Sequence, residues 1–258
     1  MKHKLDVRSM FISDLHLGFK DCKADYLLDL LKNCQADTLY LVGDIIDLQS
    51  LRKRMFWPSS HHKVVHRIIK LQQSGTRVIY IPGNHDAAMR RYIKQFFAGV
   101  EILPFADFTS LSGKRFLVCH GDQFDSEVCL GKWQATLGDV LYDLLLFINR
   151  WSNKFRTMLG MEYFSLSNYI KERIPKASQA ITRYQEAGLN YAEKNGYDGI
   201  ICGHIHYPEV VHRGEMVYIN DGDWIENCTV FVEHHDASME LIYWPKHVAS
   251  VSKIAAAA

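Results

Sequence analysis

Five times along this chain a short apolar run ends directly in a cluster of aspartate, asparagine or histidine. That recurrence restricts the fold more than any other feature. The runs Val7 to Ser13, Thr38 to Val42 and Arg77 to Ile81 lead into Asp14-Leu15-His16, Gly43-Asp44 and Gly83-Asn84-His85-Asp86. Later runs lead into His120-Gly121-Asp122 and Gly203-His204-Ile205-His206. Between the first three runs, Leu27, Leu30, Leu31 and Cys34 fall on one helical face, as do Val64, Val65, Ile68, Ile69 and Leu71 before Ser74-Gly75. Strand–helix–strand–helix–strand alternation predicts parallel strands with helical crossovers. In an open α/β sheet, ligands bind beyond the carboxyl ends of the strands, so clusters far apart in sequence can converge there.

After residue 100 the pattern becomes closely spaced strands. Phe105 to Ser110 and Arg115 to Cys119 flank the hairpin signal Ser112-Gly113, and further strands are expected at 199–202, 209–212, 216–220, 228–233 and 239–243. Between these β regions, about 124–195 reads as a helical insert. Trp133, Leu137, Val140, Leu141, Leu144, Leu145 and Ile148 make one apolar face, and a second helix is expected after Pro175, stopped by Asn195-Gly196. The expected organisation is one domain over 1–254 carrying that insert, with the alanines of 255–258 as a tail.

Composition narrows the function classes. A net charge of +1 gives no broad basic surface for nucleic acid. The six cysteines are scattered without a CxxC pair, which points to a reduced, cytoplasmic setting. No secretory leader pattern opens the sequence, and its strongest apolar stretch, Val140 to Ile148, is too short to span a bilayer and contains Asp143.

Imidazole, carboxylate and amide donors without thiolate suit Mn²⁺, Fe or Zn²⁺ better than Ca²⁺ or a closed structural zinc site. Taken singly, each cluster also reads as ordinary turn chemistry after a strand. All five in this order do not. In that order they resemble the calcineurin-like metallophosphoesterases, whose fold is a β-sandwich flanked by helices. The resemblance runs from about residue 10 to about residue 245. It implies that Asp14, His16 and His206 bind one divalent ion, that Asn84, His120 and His204 bind a second, and that Asp44 bridges them. Manganese is the leading candidate for both ions. Two ions about 3.5–4 Å apart clamp a phosphoryl oxygen and turn a water into the in-line nucleophile. His85 then matches the residue that protonates the leaving group or steadies phosphoryl charge, with Asp86 orienting its ring. Asp47 and Asp122 are expected either to hold ligand imidazoles from behind or to shape turns.

Within that family the chain is most similar to the UDP-2,3-diacylglucosamine pyrophosphatases of bacterial lipid A synthesis. The closing run Asn220-Asp221-Gly222-Asp223-Trp224 and the place of the helical insert carry that likeness. It implies a nucleotide-linked lipid substrate, and the insert adds the expectation of peripheral contact with the inner membrane. One departure matters: His85 stands where the best-known members have arginine. A phosphate leaving group, with a second pKa of about 6, needs little protonation, whereas an alkoxide needs a general acid. Phosphodiester and phosphomonoester hydrolysis therefore remain alternatives, beside a non-catalytic scaffold that the complete ligand set argues against. In the insert, Trp151, Phe155, Met158, Leu159 and Phe164 suit either acyl chains or simple core packing. Its basic residues Arg150, Lys154, Arg156, Lys171, Arg173 and Lys176 suit anionic head groups or plain solvation. The same two readings, a nucleotide grip or a basic loop, apply to Arg52, Lys53, Arg54, Phe56 and Trp57.

Overall fold

The computed structural model describes residues 5–128 and 175–247. The chain divides into two compact units, with boundaries at Asp122/Gln123 and Gly188/Leu189. The first carries both β regions. In it, β1 (Leu5–Ile12), α1 (Ala24–Asn33), β2 (Cys34–Val42), α2 (Leu48–Lys53), α3 (Ser59–Gln73) and β3 (Arg77–Ile81) follow in order. β2 pairs parallel with both β1 and β3, as the alternation predicts.

One seven-stranded sheet has the order β12-β11-β1-β2-β3-β5-β4. It includes β4 (Phe96–Phe97), β5 (Val100–Ile102), β11 (Thr229–Glu233) and β12 (Met239–Tyr243). A five-stranded sheet, β6-β7-β8-β10-β9, is built from β6 (Ala106–Thr109), β7 (Arg115–Val118), β8 (Gly199–Cys202), β9 (Glu209–Arg213) and β10 (Met216–Asn220). β7, β8 and β10 run parallel, so their carboxyl ends also share one edge.

The central strands are buried on both faces, hence their nearly unbroken apolar runs. Alternate residues serve two cores. Met10, Ile12, Leu39 and Leu41 pack with α1 and α3 through Leu27, Leu30, Val64 and Ile68. Phe11, Tyr40, Val42 and Ile81 face Phe108, Phe116, Val118 and Ile219 of the second sheet. Phe11 and Tyr40 stack at 4.5 Å, an arrangement that adds roughly 0.5–1.5 kcal/mol beyond their area burial.

One sequence boundary moves. Cys34 is not the end of the helical face but the first residue of β2, because Leu5 pairs with Cys34 in the parallel register and draws the strand back from Thr38. The hairpin of β6 and β7 pairs Phe108 with Phe116, and its turn uses Gly113 at φ +86°. In the second unit the described parts are α4 (Asp125–Val128) and the start of α5 (Pro175–Lys194), where the rings of Phe124 and Tyr184 meet edge-on at 5.8 Å. The rest of the expected insert, with its acyl-chain and head-group residues, lies outside the described residues, as does the tail. Among the described residues no helix is long and apolar enough to cross a membrane.

Candidate metal centre

The loops that follow β1, β2, β3, β7 and β8 meet. Backbone bonds zip the first two together: Asp14 N–H donates to Gly43 O at 3.0 Å, His16 N–H to Asp44 O at 2.9 Å and Leu17 N–H to Ile45 O at 3.0 Å. Gly203 N–H donates to His120 O at 3.1 Å and joins the loops of β7 and β8. Packing this tight needs glycine. A Cβ at Gly43, whose φ is +86°, would enter the His120 ring, and one at Gly203 would meet the Ser13 hydroxyl and the Asp14 carboxylate.

All seven sequence-predicted ligands come together. His206 Nε2 lies 3.0 Å and His16 Nε2 3.6 Å from Asp14 Oδ1. His120 Nε2 lies 3.1 Å from Asn84 Oδ1 and 3.4 Å from Asp44 Oδ2. His16 Nε2 approaches that same Asp44 oxygen at 3.8 Å. The His204 ring packs 5.0 Å from the His120 ring, and the His204 backbone N–H donates to Asp14 Oδ2 at 2.8 Å. Asp14, Asp44 and His120 are almost wholly buried.

The second nitrogens of two rings are fixed. His120 Nδ1–H donates to Val42 O at 3.0 Å, and His16 Nδ1 meets Asp47 Oδ2 at 3.1 Å. Both Nε2 atoms are thereby presented to the carboxylates, the arrangement in which a metal-bound imidazole is steadied from behind. His16 Nε2 is buried and makes no hydrogen bond. Standing 3.6–3.8 Å from two carboxylate oxygens, it has the spacing of donors that share an ion rather than a proton. The donor set therefore fits divalent metal.

The electrostatics agree. Burial opposes charge on His16, but contacts with Asp14 and Asp47 and the charge of Asp44 outweigh it and raise its pKa to about 10. Burial likewise opposes charge on His120, and Asp44 and Asp14 raise it to about 10. Asp44, though burial resists its ionisation, is held at about 2 by His120 and His16. The pocket demands positive charge, which in the polypeptide alone is supplied by protons.

The role predicted for Asp86 falls elsewhere. Asp86 is fully buried and accepts from Gly83 N–H at 2.6 Å, Ile45 N–H at 2.7 Å and the Tyr80 hydroxyl at 2.5 Å, so it pins the loops of β2 and β3 rather than the His85 ring. It is Asp47 that faces His85, with Oδ1 3.1 Å from His85 Nδ1, a contact not aligned as a hydrogen bond. Asp47 also caps α2, accepting from Ser50 N–H at 2.7 Å. Among the described residues Asp122 holds no imidazole; it pairs with Arg90 at 2.7 Å.

Sequence reasoning missed Ser13, Gln49 and His61. Ser13 Oγ is 2.5 Å from Asp221 Oδ1 behind Asp14. Gln49 Nε2 donates to Asn84 O at 3.1 Å, and Gly18 N–H donates to His61 Nδ1 at 2.9 Å. None of the three belongs to a local motif, so only the fold joins them to the centre.

Fold and donor set define a class: the chain belongs to the calcineurin-like phosphoesterase family, whose pattern matches residues 7–208. It is a metal-dependent hydrolase that works with a pair of divalent ions. Its curated relatives are more particular. The UDP-2,3-diacylglucosamine hydrolase of Neisseria gonorrhoeae is 30% identical over 84% of this chain and 89% of its own length. The enzyme of that name from Photorhabdus laumondii is 26% identical over 92% and 99%, and that from Haemophilus influenzae 29% over 88% and 92%.

Proposed function

We propose that this protein hydrolyses the pyrophosphate bond of UDP-2,3-diacylglucosamine, releasing UMP and an acylated sugar 1-phosphate. The full-length similarity to enzymes named for that substrate carries the reading. Asp14, His16 and His206 would hold one ion and Asn84, His120 and His204 the other. Asp44 lies between, because one of its oxygens faces both the His16 and the His120 rings. Manganese is the ion of choice for these nitrogen and oxygen donors, which also accept iron and zinc. When bound, two divalent ions neutralise charge on the phosphoryl oxygens and activate a water for in-line attack. A lipid-linked substrate brings the enzyme to the membrane surface, which vesicle flotation tests.

The protein's own contribution on the leaving-group side is His85. Its Nδ1 is turned to Asp47 and its side chain is 31% exposed, which leaves Nε2 to meet the substrate. Imperfect alignment of such a contact is common before substrate binds. This observation favours a second reading, in which His85 protonates an alkoxide and the substrate is a phosphodiester or phosphomonoester.

Mass spectrometry of the products decides between them. Metal-loaded protein is incubated with UDP-2,3-diacylglucosamine, bis-p-nitrophenyl phosphate or p-nitrophenyl phosphate, with Asp44→Ala as control. UMP and the acylated sugar phosphate, absent from the control, are expected. Cleavage of the nitrophenyl esters alone would discard the lipid substrate.

A further inference from the structure

The segment from Asp47 to His61 starts at the metal centre and ends against the loop that carries His16. Asp47 faces His16 and His85 and caps α2. One turn on, Gln49 holds the backbone of Asn84, and Leu51 packs where a side chain at Gly18 would sit. The chain then runs outward and returns at His61, which is buried and accepts the Gly18 N–H. Both ends are thus stapled to ligand-bearing loops, and what lies between forms a rim beside the centre.

That rim has an unusual surface. Arg52, Lys53 and Arg54 are exposed, and none forms an ion pair with any described residue. Met55 is 78% exposed, and Phe56 and Trp57 are 38% exposed each. The two rings are nevertheless positioned. Both meet the His61 ring edge-on at 5.7 Å, with interplanar angles of 81° and 90°. A loop needed only as a connection gains nothing from two exposed aromatic rings anchored on a buried histidine beside three cations without an ion pair among the described residues. Aromatic rings next to cations are what a base and its phosphates require.

We infer that the Arg52–Trp57 rim recognises the nucleoside phosphate half of the substrate, the base against Phe56 and Trp57 and the phosphates near Arg52 and Arg54. This rests on the nucleotide-linked reading above. It makes the rim a specificity element, separate from the centre that breaks the bond. His61 is a positioning residue, coupling the two rings to the loop of His16.

The test is calorimetric titration of the metal-loaded full chain with UMP and with ribose 5-phosphate, which keeps the phosphate and lacks the base. UMP is expected to bind about tenfold tighter, the scale of one stacked base. In Phe56→Ala/Trp57→Ala that preference collapses to near one. Trp57→Phe keeps a ring and most of the preference, so a misfolded double variant does not leave the question open. Tyr26→Ala, which removes an exposed ring on α1, keeps it whole. Equal binding of the two ligands by the native protein, or a preference that survives loss of both rings, overturns the inference. Failure of the lipid substrate is separable. A chain that binds UMP through Trp57 but leaves UDP-2,3-diacylglucosamine intact keeps this rim and loses only the acylated sugar.

Discussion

Buried carboxylate meets β1 at two places, and the two behave differently. At mid-strand, Glu233 pairs in register with Ser9 and is fully buried beside Arg8. One of its oxygens pairs with the Arg8 guanidinium and the other accepts Leu111 N–H at 2.7 Å. Arg8 also reaches Thr109 O at 3.2 Å and lies 5.7 Å from the Phe108 ring. Both oxygens of the buried acid are answered. At the carboxyl end, Asp14 Oδ1 meets His206 Nε2 at 3.0 Å, but the approaches of His16 Nε2 to Asp14 and Asp44 and of His120 Nε2 to Asp44 are 3.4–3.8 Å, and His16 Nε2 has no hydrogen-bond partner. Backbone strain separates the two further. Of the nine non-glycine residues with positive φ among the described residues, five are Asp14, His16, Asp44, His204 and His206. Such conformations cost of order 1–3 kcal/mol each and gather where a site needs them. Buried acid alone does not make a site; unanswered valences on a strained frame do.

The sharpest way to break this contrast is to remove one acid from each place. Asp44→Ala is expected to lower kcat by at least about a thousandfold, the several kcal/mol that metal-assisted charge stabilisation supplies. It should also remove the rise in unfolding midpoint on adding Mn²⁺. Glu233→Ala strands the Leu111 N–H and half-exposed Arg8, costing about 1–3 kcal/mol of stability while kcat/KM stays within about twofold. Calorimetry and steady-state kinetics read both. Equal losses of activity would dissolve the distinction.

A second test uses pH. The folded-state pKa values of His16 and His120, at about 10, lie above the ordinary 6.5. Their contribution to metal-free stability is therefore complete below pH 6.5 and is lost as pH rises through about 10. Metal requires both rings neutral, so binding expels protons and affinity climbs with pH across that window, by roughly tenfold per unit for each proton displaced. Titration in buffers of different ionisation enthalpy should count about two protons released at pH 7.5. No release would mean the rings are already neutral.

Asp47 and Asp86 sharpen the comparison within the centre. Asp47→Ala frees the backs of His16 and His85 and is expected to cost about 10–100-fold in metal affinity or activity. Asp86→Ala instead strands the backbone N–H groups of Gly83 and Ile45, so its main effect is about 1–3 kcal/mol of stability. The reverse ranking would restore Asp86 as the partner of His85.

That exchange of roles shows what could be read in advance. The metal donors were legible because each sits within a few residues of a strand end, and parallel strands bring those ends together. Asp86 was misassigned because adjacency in sequence is a poor guide in a tight loop. The neighbouring side chain turned inward to amides of the loops after β2 and β3, and the acid that faces His85 came from another loop. The start of β2 at Cys34 depended on pairing with Leu5, and the rim's return to Gly18 through His61 depended on α3. Both are long-range contacts with no local signal.

Asp221 is the intermediate case, buried like Glu233 but standing behind Asp14. Ser13 Oγ lies 2.5 Å from its Oδ1 and 3.0 Å from Gly222 O. One hydroxyl proton cannot serve both acceptors. Burial, and then the charge of Asp14, push the Asp221 carboxyl well above its usual range despite the Ser13 contact. A protonated Asp221 resolves the conflict: its O–H donates to Ser13 Oγ, and Ser13 O–H donates to Gly222 O. Asparagine reproduces that pattern with an N–H. Asp221→Asn should therefore shift stability by less than about 1 kcal/mol, equally at pH 6 and pH 8, with kcat within a few-fold. A larger loss that grows with pH would show an ionised carboxylate, and Asp221 would join the charged machinery of the centre.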